Sequence, residues 1–258
     1  MEKIIATKNP ALGLIIGTYA ALPYVHLQLE SWRRNCRNIP VIVHDDCSPQ
    51  ARQLKLLCDE YGAEFHSTPA RRGHVSGDLN VYPYGLEWAA TRQIELLVKL
   101  SRRFVPVVEW QTGLLALAYE SQYATYSGLC RHHGFGFRTE CMAMHVPSWI
   151  RYGGAEPIRA HAESGEYCLV EAVVHQGAIA VHHHNCEANR LYEALHPRPP
   201  HAPGFGFWEL LGENRCEPRA EALWHEACRP LEYYRAALQY GILRYREEDF
   251  HDGDANIP

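Results

Sequence analysis

Polar residues follow four short apolar segments in the first half of this 258-residue sequence. These four sets are 17–19 (GTY), 45–48 (DDCS), 71–78 (RRGHVSGD) and 101–103 (SRR). Carboxylates accept hydrogen bonds from ribose hydroxyls or a base N–H, and arginines bind a diphosphate through their fork of donors. If each segment is a strand of one parallel sheet, the sets meet at its carboxyl edge, where open α/β sheets bind ligands. The pattern therefore predicts a nucleotide pocket.

The elements that position these sets are predicted from apolar runs and helix signals. We expect strands at 11–18, 39–43, 63–67 and 96–100, and helices at 23–34, 49–61 and 84–95. Ser48 and Pro49 are predicted as N-cap and first residue of the second helix, and Gly62 as its C-cap. Strands that alternate with helices are typical of a mainly parallel sheet with right-handed crossovers.

The second half is less regular. Strands are predicted at 123–129, 137–146 and 179–182, and helices at 104–118, 147–152 and 166–176. Four prolines and two glycines at 196–207 predict a loop, and 217–240 predicts a long helix or helical hairpin. The sequence thus predicts an α/β domain over 1–185, with a mainly parallel sheet flanked by helices, and a loop and helical extension over 186–258 packed on it.

The run GTYAALPYVHLQLESW … IPVIVHDDCS resembles the start of glycosyltransferase family 2 and related GT-A enzymes. In that family a strand ending in Thr-Tyr/Phe-Asn precedes a helix with Leu-x-Ser and a strand ending in Asp-Asp-x-Ser. The likeness extends roughly over 12–184. It implies a GT-A (Rossmann-like) fold with Thr18 and Asp46 in the nucleoside site and Asp45 close by. Arg72, Gly73 and His74 resemble the loop before the family's next helix.

The sequence departs from the family at the fourth strand. GT-A enzymes usually have an Asp-x-Asp there, whose carboxylates hold a divalent cation against the diphosphate, whereas residues 99–103 read KLSRR. A cation neutralises the departing diphosphate, and Lys99, Arg102 or Arg103 could do so directly. We therefore expect transfer with no required cofactor beyond the nucleotide sugar. A divalent cation, and binding without turnover, are the alternatives.

One of the histidines at 182–184 is also expected to line the donor site, because a late histidine can join the cation or the diphosphate in metal-dependent GT-A enzymes. The expected donor-binding residues are Thr18, Tyr19, Asp45, Asp46, Arg72, His74, Lys99, Ser101, Arg102, Arg103, His182 and His184. The alternative interpretations are structural. The acids would favour a helix N-terminus, and the arginines would form a solvated strand end.

An inverting transferase needs a general base for the acceptor hydroxyl. In family 2 this base belongs to a Glu-Asp pair before a helix that ends in glycine. Counting back from Gly177, Gly165 and Glu166 fall on that pair, so the resemblance implies Glu166 as the base, followed by Glu163 and Glu140. An ordinary acid in the first turn of a helix would fit Glu166 equally well.

Composition limits the partners and the compartment. The net charge of −5 gives no general attraction to nucleic acid. No apolar run is long enough for a transmembrane helix, and the N-terminus lacks the features of a secretory signal. Nine scattered cysteines indicate reduced thiols. We expect a cytoplasmic protein without a metal site, since the paired short spacings of structural zinc are absent. Contact with the cytosolic face of a membrane and a homodimer stay open.

These features predict a glycosyltransferase that moves a sugar from a nucleotide-diphosphate sugar to a glycan, lipid-linked or polysaccharide acceptor, with inversion and without metal. One alternative is a sugar-phosphate nucleotidyltransferase, but the basic glycine-rich loop typical of that class is absent from GTYAALPYVH. The other is a catalytically inactive GT-A homologue that binds a sugar nucleotide or glycan, and the missing Asp-x-Asp supports it.

Overall fold

A computed structural model describes residues 11–35, 38–101, 104–106, 111, 114–115, 118–119, 124–128, 141–151, 153–160, 180–182 and 207–209. The strands in these residues are β1 (Leu12–Thr18), β2 (Val41–Asp45), β3 (Glu64–Ser67), β4 (Leu96–Leu100), β5 (Phe104–Pro106), β6 (Thr125–Gly128), β7 (Cys141–His145), β8 (Ala180–His182) and β9 (Phe207–Glu209). The helices are α1 (Leu22–Asn35), α2 (Ala51–Tyr61), α3 (His74–Thr91), α4 (Val146–Arg151) and α5 (Glu156–Ala160).

Seven of the strands form one sheet in the order β3-β2-β1-β4-β7-β6-β8. The first four, β3, β2, β1 and β4, are parallel. β7 runs antiparallel between β4 and β6, and β8 is parallel to β6. β5 and β9 pair with each other in a separate antiparallel ribbon. The predicted fold class, a mainly parallel sheet flanked by helices, is confirmed.

Helices cover both faces of the parallel strands, which explains why these strands are uninterrupted apolar runs. Alternate residues of β1 point to opposite faces. Leu14 packs with α1 and α2 in one cluster, whereas Ile15 packs with α3 in a second cluster. Trp149 of α4 and Ile158 of α5 join the cluster on the α3 face.

Glycines allow α3 to lie close against the sheet. A Cβ on Gly17 would lie 2.7 Å from Cγ2 of Val81, and a Cβ on Gly85 would lie 3.0 Å from a methyl of Leu97. Real Cβ atoms essentially never come within 3.0 Å of another heavy atom. The absence of a side chain at Gly17 therefore sets the distance between β1 and α3.

The start of α3 differs from the prediction. The helix begins at His74, whereas the sequence predicted a loop to residue 78 and a helix from Tyr84. Pro83 lies inside the helix, and an internal proline removes a backbone hydrogen bond at a cost of about 3 kcal/mol. Burial of side chains on the α3 face, such as Leu79 and Tyr82 at 1% and 0% exposure, offsets that loss.

Two further predictions are wrong. α2 begins at Ala51 with Gln50 as its N-cap residue, not with Ser48 and Pro49, because the Ser48 hydroxyl bonds to Asp45 instead. Residues 104–106, predicted as the start of a helix, form β5 because they pair with β9. Helical residues follow at 111, 114–115 and 118–119.

Other predictions hold within the described residues. Gly62 is the C-cap of α2 in the left-handed conformation, with φ of 75°. The strand predicted at 96–100 has those bounds, and the strands predicted at 123–129, 137–146 and 179–182 contain β6, β7 and β8. The helices predicted at 166–176 and 217–240 lie outside the described residues. The part of the chain that the structure describes contains no helix long and apolar enough to cross a membrane.

Gly17→Ala is expected to lower the free energy of unfolding by about 1–3 kcal/mol, because the added methyl overlaps Val81 in a packed layer. In a Val81→Ala background the same substitution should cost much less, since the methyl groups it would meet are gone. Urea unfolding of the wild type, both single variants and the double variant measures this coupling. Equal losses in both backgrounds would show that the contact with Val81 is not the cause.

Candidate functional site

The carboxyl ends of β1 and β4 lie where the chain changes direction across the sheet. From β1 the chain moves outwards to β2 and β3, then returns to β4 on the other side of β1. α1, after β1, packs on one face, and α3, before β4, packs on the other. Open α/β sheets bind ligands at such a switch point. Thr18 ends β1 and Ser101 follows β4, so both lie at the candidate site.

Thr18 places a hydroxyl at this switch point. The residue is 8% exposed, and its Oγ1 has no hydrogen-bond partner among the described residues. Its carbonyl oxygen accepts a bond of 2.9 Å from the Asp46 amide, which joins the ends of β1 and β2. Because a buried hydroxyl without a partner costs free energy, this hydroxyl is a group that a ligand could satisfy.

Asp46 is a buried acceptor that joins β2 to the start of α3. The Arg72 amide donates to its two oxygens at 2.9 and 3.1 Å, and the Gly73 amide donates to Oδ2 at 3.0 Å. The Thr68 hydroxyl lies 3.4 Å from Oδ1. A Cβ on Gly77 would lie 2.5 Å from Oδ2, so this arrangement requires glycine there. The carboxylate fixes the loop 71–73 against the end of β2.

Asp45 joins the ends of three strands. Its Oδ2 accepts from the Ser48 amide at 2.9 Å and from the Ser67 hydroxyl at 2.8 Å. The Ser48 hydroxyl donates to Oδ1 and accepts from the Ala20 amide at 2.7 Å. Both acids predicted for the nucleoside site are thus bonded to protein donors at the predicted edge. Their contact with a nucleoside stays a prediction.

The backbone is strained directly after β1 and β2. Ala20 has φ of 46° and Cys47 has φ of 60°, a region that residues other than glycine seldom adopt. Such conformations cluster at ligand sites, where the surrounding structure enforces them. Here the bonds of Ser48 to Ala20 and Asp45 hold the two loops in place.

Lys99 lies on the α3 face of β4 and is completely buried. Its Nζ donates to both carboxylate oxygens of Asp78, at 2.7 and 2.6 Å, and lies 5.0 Å from the centre of the Tyr82 ring. The charge of Lys99 is therefore neutralised within the protein. Ser101 is also buried, and its carbonyl oxygen accepts from Nε2 of Gln28 at 2.8 Å.

Arg71 lies next to the end of β1, although its neighbour Arg72 was the residue expected to bind the donor. The Arg71 guanidinium carbon is 4.0 Å from the centre of the Tyr19 ring, which is a cation–π contact. The positive charge of Arg72 contributes to lowering the pKa of His44. Two adjacent arginines in one loop were the available sequence signal, but the sequence could not say which one meets β1.

A cluster of rings on the α3 face lies behind this loop. The His66 and Tyr84 rings stack with centres 4.1 Å apart, and the His44 ring lies 4.9 Å from Tyr84 and 5.2 Å from His66. Burial, followed by the charges of His66 and Arg72, lowers the pKa of His44 to about 4. Burial also lowers the pKa of His66. The cluster is therefore neutral near pH 7.

Several predicted site residues lie outside the described part of the chain. They are Arg102, Arg103, His184, Glu140, Glu163 and Glu166. The backbone of His74 is described at the start of α3, and that of His182 at the end of β8. Within the described residues, no three His, Cys, Asp or Glu side chains lie close enough to hold a metal ion.

Asp46→Asn is expected to lower the free energy of unfolding by about 2 kcal/mol, because the amide has one acceptor oxygen where the carboxylate uses two. The amide nitrogen would face a backbone N–H of Arg72 or Gly73. Asp59→Asn is the matched control, since Asp59 pairs with Lys55 on the surface, and its loss should be within about 0.5 kcal/mol. Chemical unfolding measures both, and equal small losses would contradict a structural role for Asp46.

The stability of the protein should fall in acid. An unfolded histidine has a pKa of about 6.5, whereas burial lowers the pKa of both His44 and His145 to about 4. The unfolded chain therefore binds more protons between these values, so stability is complete above about pH 6.5 and falls towards pH 4. Each histidine contributes a loss of up to roughly 3 kcal/mol.

His44→Phe should remove the part of the acid loss that His44 contributes, while His145, His26 and His66, whose pKa values burial also lowers, still titrate. Unfolding free energies at pH 7, 6, 5 and 4 measure the slope in both proteins. A slope unchanged by the substitution would contradict the assignment of His44.

Comparisons with known proteins add to this geometry. No protein-family model matches the sequence, and no curated protein matches it in sequence. TarS 1–349 from S. aureus in complex with UDP has a TM-score of 0.50 at 14% identity, over 67% of this chain and 58% of that chain. The glycosyltransferase GlyE from Streptococcus pneumoniae TIGR4 has a TM-score of 0.52 at 10% identity, over 90% of this chain and 64% of that chain.

This chain therefore spans little more than half of the TarS structure. At such identities a structural likeness reports the fold alone. That fold has a mainly parallel sheet, the switch point at β1 and β4, and helices on both faces. The chain has the α/β fold of the GT-A (Rossmann-like) class.

Proposed function

We propose that this protein is a glycosyltransferase that moves a sugar from a nucleotide-diphosphate sugar to a glycan, lipid-linked or polysaccharide acceptor. The observation that carries the proposal is the GT-A fold with an unsatisfied buried hydroxyl, Thr18 Oγ1, at its ligand-binding switch point. The bonds of Asp45 and Asp46 fix the loops around that hydroxyl. A preorganised edge of this kind binds a ligand with little loss of conformational entropy.

Two structural neighbours support a nucleotide-sugar donor. TarS has been solved in complex with UDP, and GlyE is a glycosyltransferase. UDP contains the nucleoside and diphosphate that the strand-end residues were expected to bind. The Thr18 hydroxyl would bond to the nucleoside part of the donor. Tyr19 is the next residue in the sequence.

Transfer without a divalent cation is the finer part of the proposal. The departing diphosphate needs positive charge, and β4 carries no carboxylate that could hold a metal there. Lys99 is poorly suited to this role, because it is fully buried and bonded to Asp78 at both oxygens. Arg102 and Arg103, which follow β4 in the sequence, are the better candidates among the three cations first considered.

The reaction itself would be a direct displacement with inversion. A general base takes the proton of the acceptor hydroxyl, whose oxygen bonds to the anomeric carbon as the bond to the diphosphate breaks. The nucleoside diphosphate leaves with its added charge stabilised by guanidinium groups. Glu166 is the first candidate for the base, followed by Glu163 and Glu140.

A thermal-shift screen of UDP-, GDP-, CMP- and dTDP-sugars, each with and without EDTA, tests the donor and the metal together. We expect at least one nucleotide sugar to raise Tm equally in both conditions, because ligand binding to the folded state stabilises it. Arg102→Ala and Arg103→Ala should weaken the nucleoside diphosphate about tenfold more than the nucleoside, since each removes charge-assisted bonds to phosphate.

Other outcomes distinguish the alternatives. Stabilisation that EDTA abolishes would contradict the metal-free reaction, but it would still support a nucleotide-sugar donor. Release of pyrophosphate from a nucleoside triphosphate and a sugar phosphate would identify a nucleotidyltransferase. A bound donor that is neither hydrolysed nor transferred would identify an inactive homologue.

A further inference from the structure

We propose that Arg71 binds the diphosphate of the nucleotide. Its guanidinium, held over the Tyr19 ring beside the end of β1, would make the contact. The sequence placed the set 71–78 at the nucleotide pocket, but Arg71 was not among the individual residues expected to bind the donor. The proposal rests on the proposed function, because it names a residue of the same donor site. It also predicts binding of a simple diphosphate anion, which can be measured separately.

The guanidinium groups of this loop differ in their partners from those of three other described arginines. Arg33, Arg92 and Arg159 each form an ion pair with a glutamate. Arg71 and Arg72 are exposed, and neither has a carboxylate partner within the described part of the chain. Two exposed guanidinium groups on adjacent residues of one loop, without carboxylate partners, create a local positive potential that attracts a multiply charged anion.

Asp46 makes this lack of pairing informative. Its carboxylate lies against the backbone of this loop, where it could also have paired with a guanidinium group. It instead accepts from the backbone amides of Arg72 and Gly73, at 2.9 and 3.0 Å. One acid thus fixes the loop by its backbone and leaves the guanidinium donors available. Because Asp46 is only 4% exposed, solvent competes little with these bonds.

The contact with Tyr19 places Arg71 at the ligand-binding edge. The Arg71 guanidinium lies 4.0 Å from the centre of a ring that follows β1 directly. Stacking occupies the face of the guanidinium and leaves the N–H donors at its edge for other bonds. Tyr19 thus restricts a flexible side chain near Thr18, whose hydroxyl lacks a partner among the described residues.

A diphosphate is the ligand that best matches this arrangement. Guanidinium groups bind phosphate oxygens in pairs, and such charge-assisted bonds are about twice as strong as neutral ones. A neutral sugar or a nucleobase would gain no comparable charge interaction. Arg71 is the arginine of this loop whose guanidinium contacts the Tyr19 ring, directly after β1.

The test measures binding of inorganic pyrophosphate, UDP, GDP and their nucleosides to the full chain by calorimetry. Arg71→Ala should weaken pyrophosphate and the bound nucleoside diphosphate about tenfold and leave the nucleoside within about twofold, because it removes bonds to phosphate alone. Arg71→Lys should show an intermediate loss, since it keeps the charge without the fork of donors. Raising the salt concentration should reduce the difference.

Arg33→Ala is the matched control. Arg33 also lies over a tyrosine ring, at 4.2 Å from the centre of Tyr61, and pairs with Glu30. It lies near the end of α1, which leads to the amino end of β2, away from the candidate site. The substitution removes the same charge and the same kind of ring contact, so it should leave the affinity for pyrophosphate unchanged.

Each result separates this proposal from the proposed function. Equal affinity of Arg71→Ala and wild type for a bound nucleoside diphosphate would overturn the role of Arg71 and leave the donor site standing. Equal weakening of nucleoside and diphosphate would also overturn it, because Arg71 would then act through the base or Tyr19. Pyrophosphate binding that depends on Arg71, without binding of any nucleotide, would support the anion site and contradict the proposed function.

Discussion

The geometry of the candidate site depends on the carboxylate of Asp46. It lies just after β2, yet it accepts from the amides of Arg72 and Gly73, so the end of β2 and the start of α3 cannot move independently. The contact is close enough to exclude any side chain at Gly77. A helix N-terminus otherwise attracts anions, but here a protein carboxylate lies against it and would repel a second one. A ligand phosphate must therefore find its positive partners in side chains at the same edge.

The charges at that edge follow from this constraint. Asp45 and Asp46 are both bonded to backbone amides and hydroxyls, so neither neutralises a neighbouring arginine. Lys99, in contrast, is neutralised by the carboxylate of Asp78 on α3. Among the described residues at this edge, Arg71 and Arg72 are the cations without a carboxylate partner. The acids and the cations at this edge thus have different roles. The acids bond to the protein backbone and hydroxyls, whereas the arginines stay available to a ligand.

The positions of the strands could be predicted from the sequence better than the contacts between the loops that follow them. β1 and β4 are apolar runs because both faces are covered, and such runs are visible without a structure. The start of α3 was missed because residues 71–78 were predicted as a loop, whereas the helix begins at His74 and tertiary burial offsets the cost of its internal Pro83. Ser48 was predicted as a helix cap from the local sequence pattern. Its hydrogen-bond partners, Ala20 and Asp45, instead lie at the ends of β1 and β2. Contacts between distant loops depend on side-chain direction, which residue spacing does not encode.

The residues KLSRR, which stand where GT-A enzymes usually have Asp-x-Asp, have a physical explanation in this arrangement. A divalent cation in a GT-A site requires carboxylates with free oxygens, and β4 supplies a buried lysine whose partner carboxylate is already bonded at both oxygens. Unpaired guanidinium groups nearby would repel a divalent cation, at a cost that grows as the local dielectric constant falls. The same groups attract a diphosphate directly. On the proposed function, positive charge in the loops would make a bound cation both less favourable and less necessary, and binding of the donor would depend on ionic strength more than on metal.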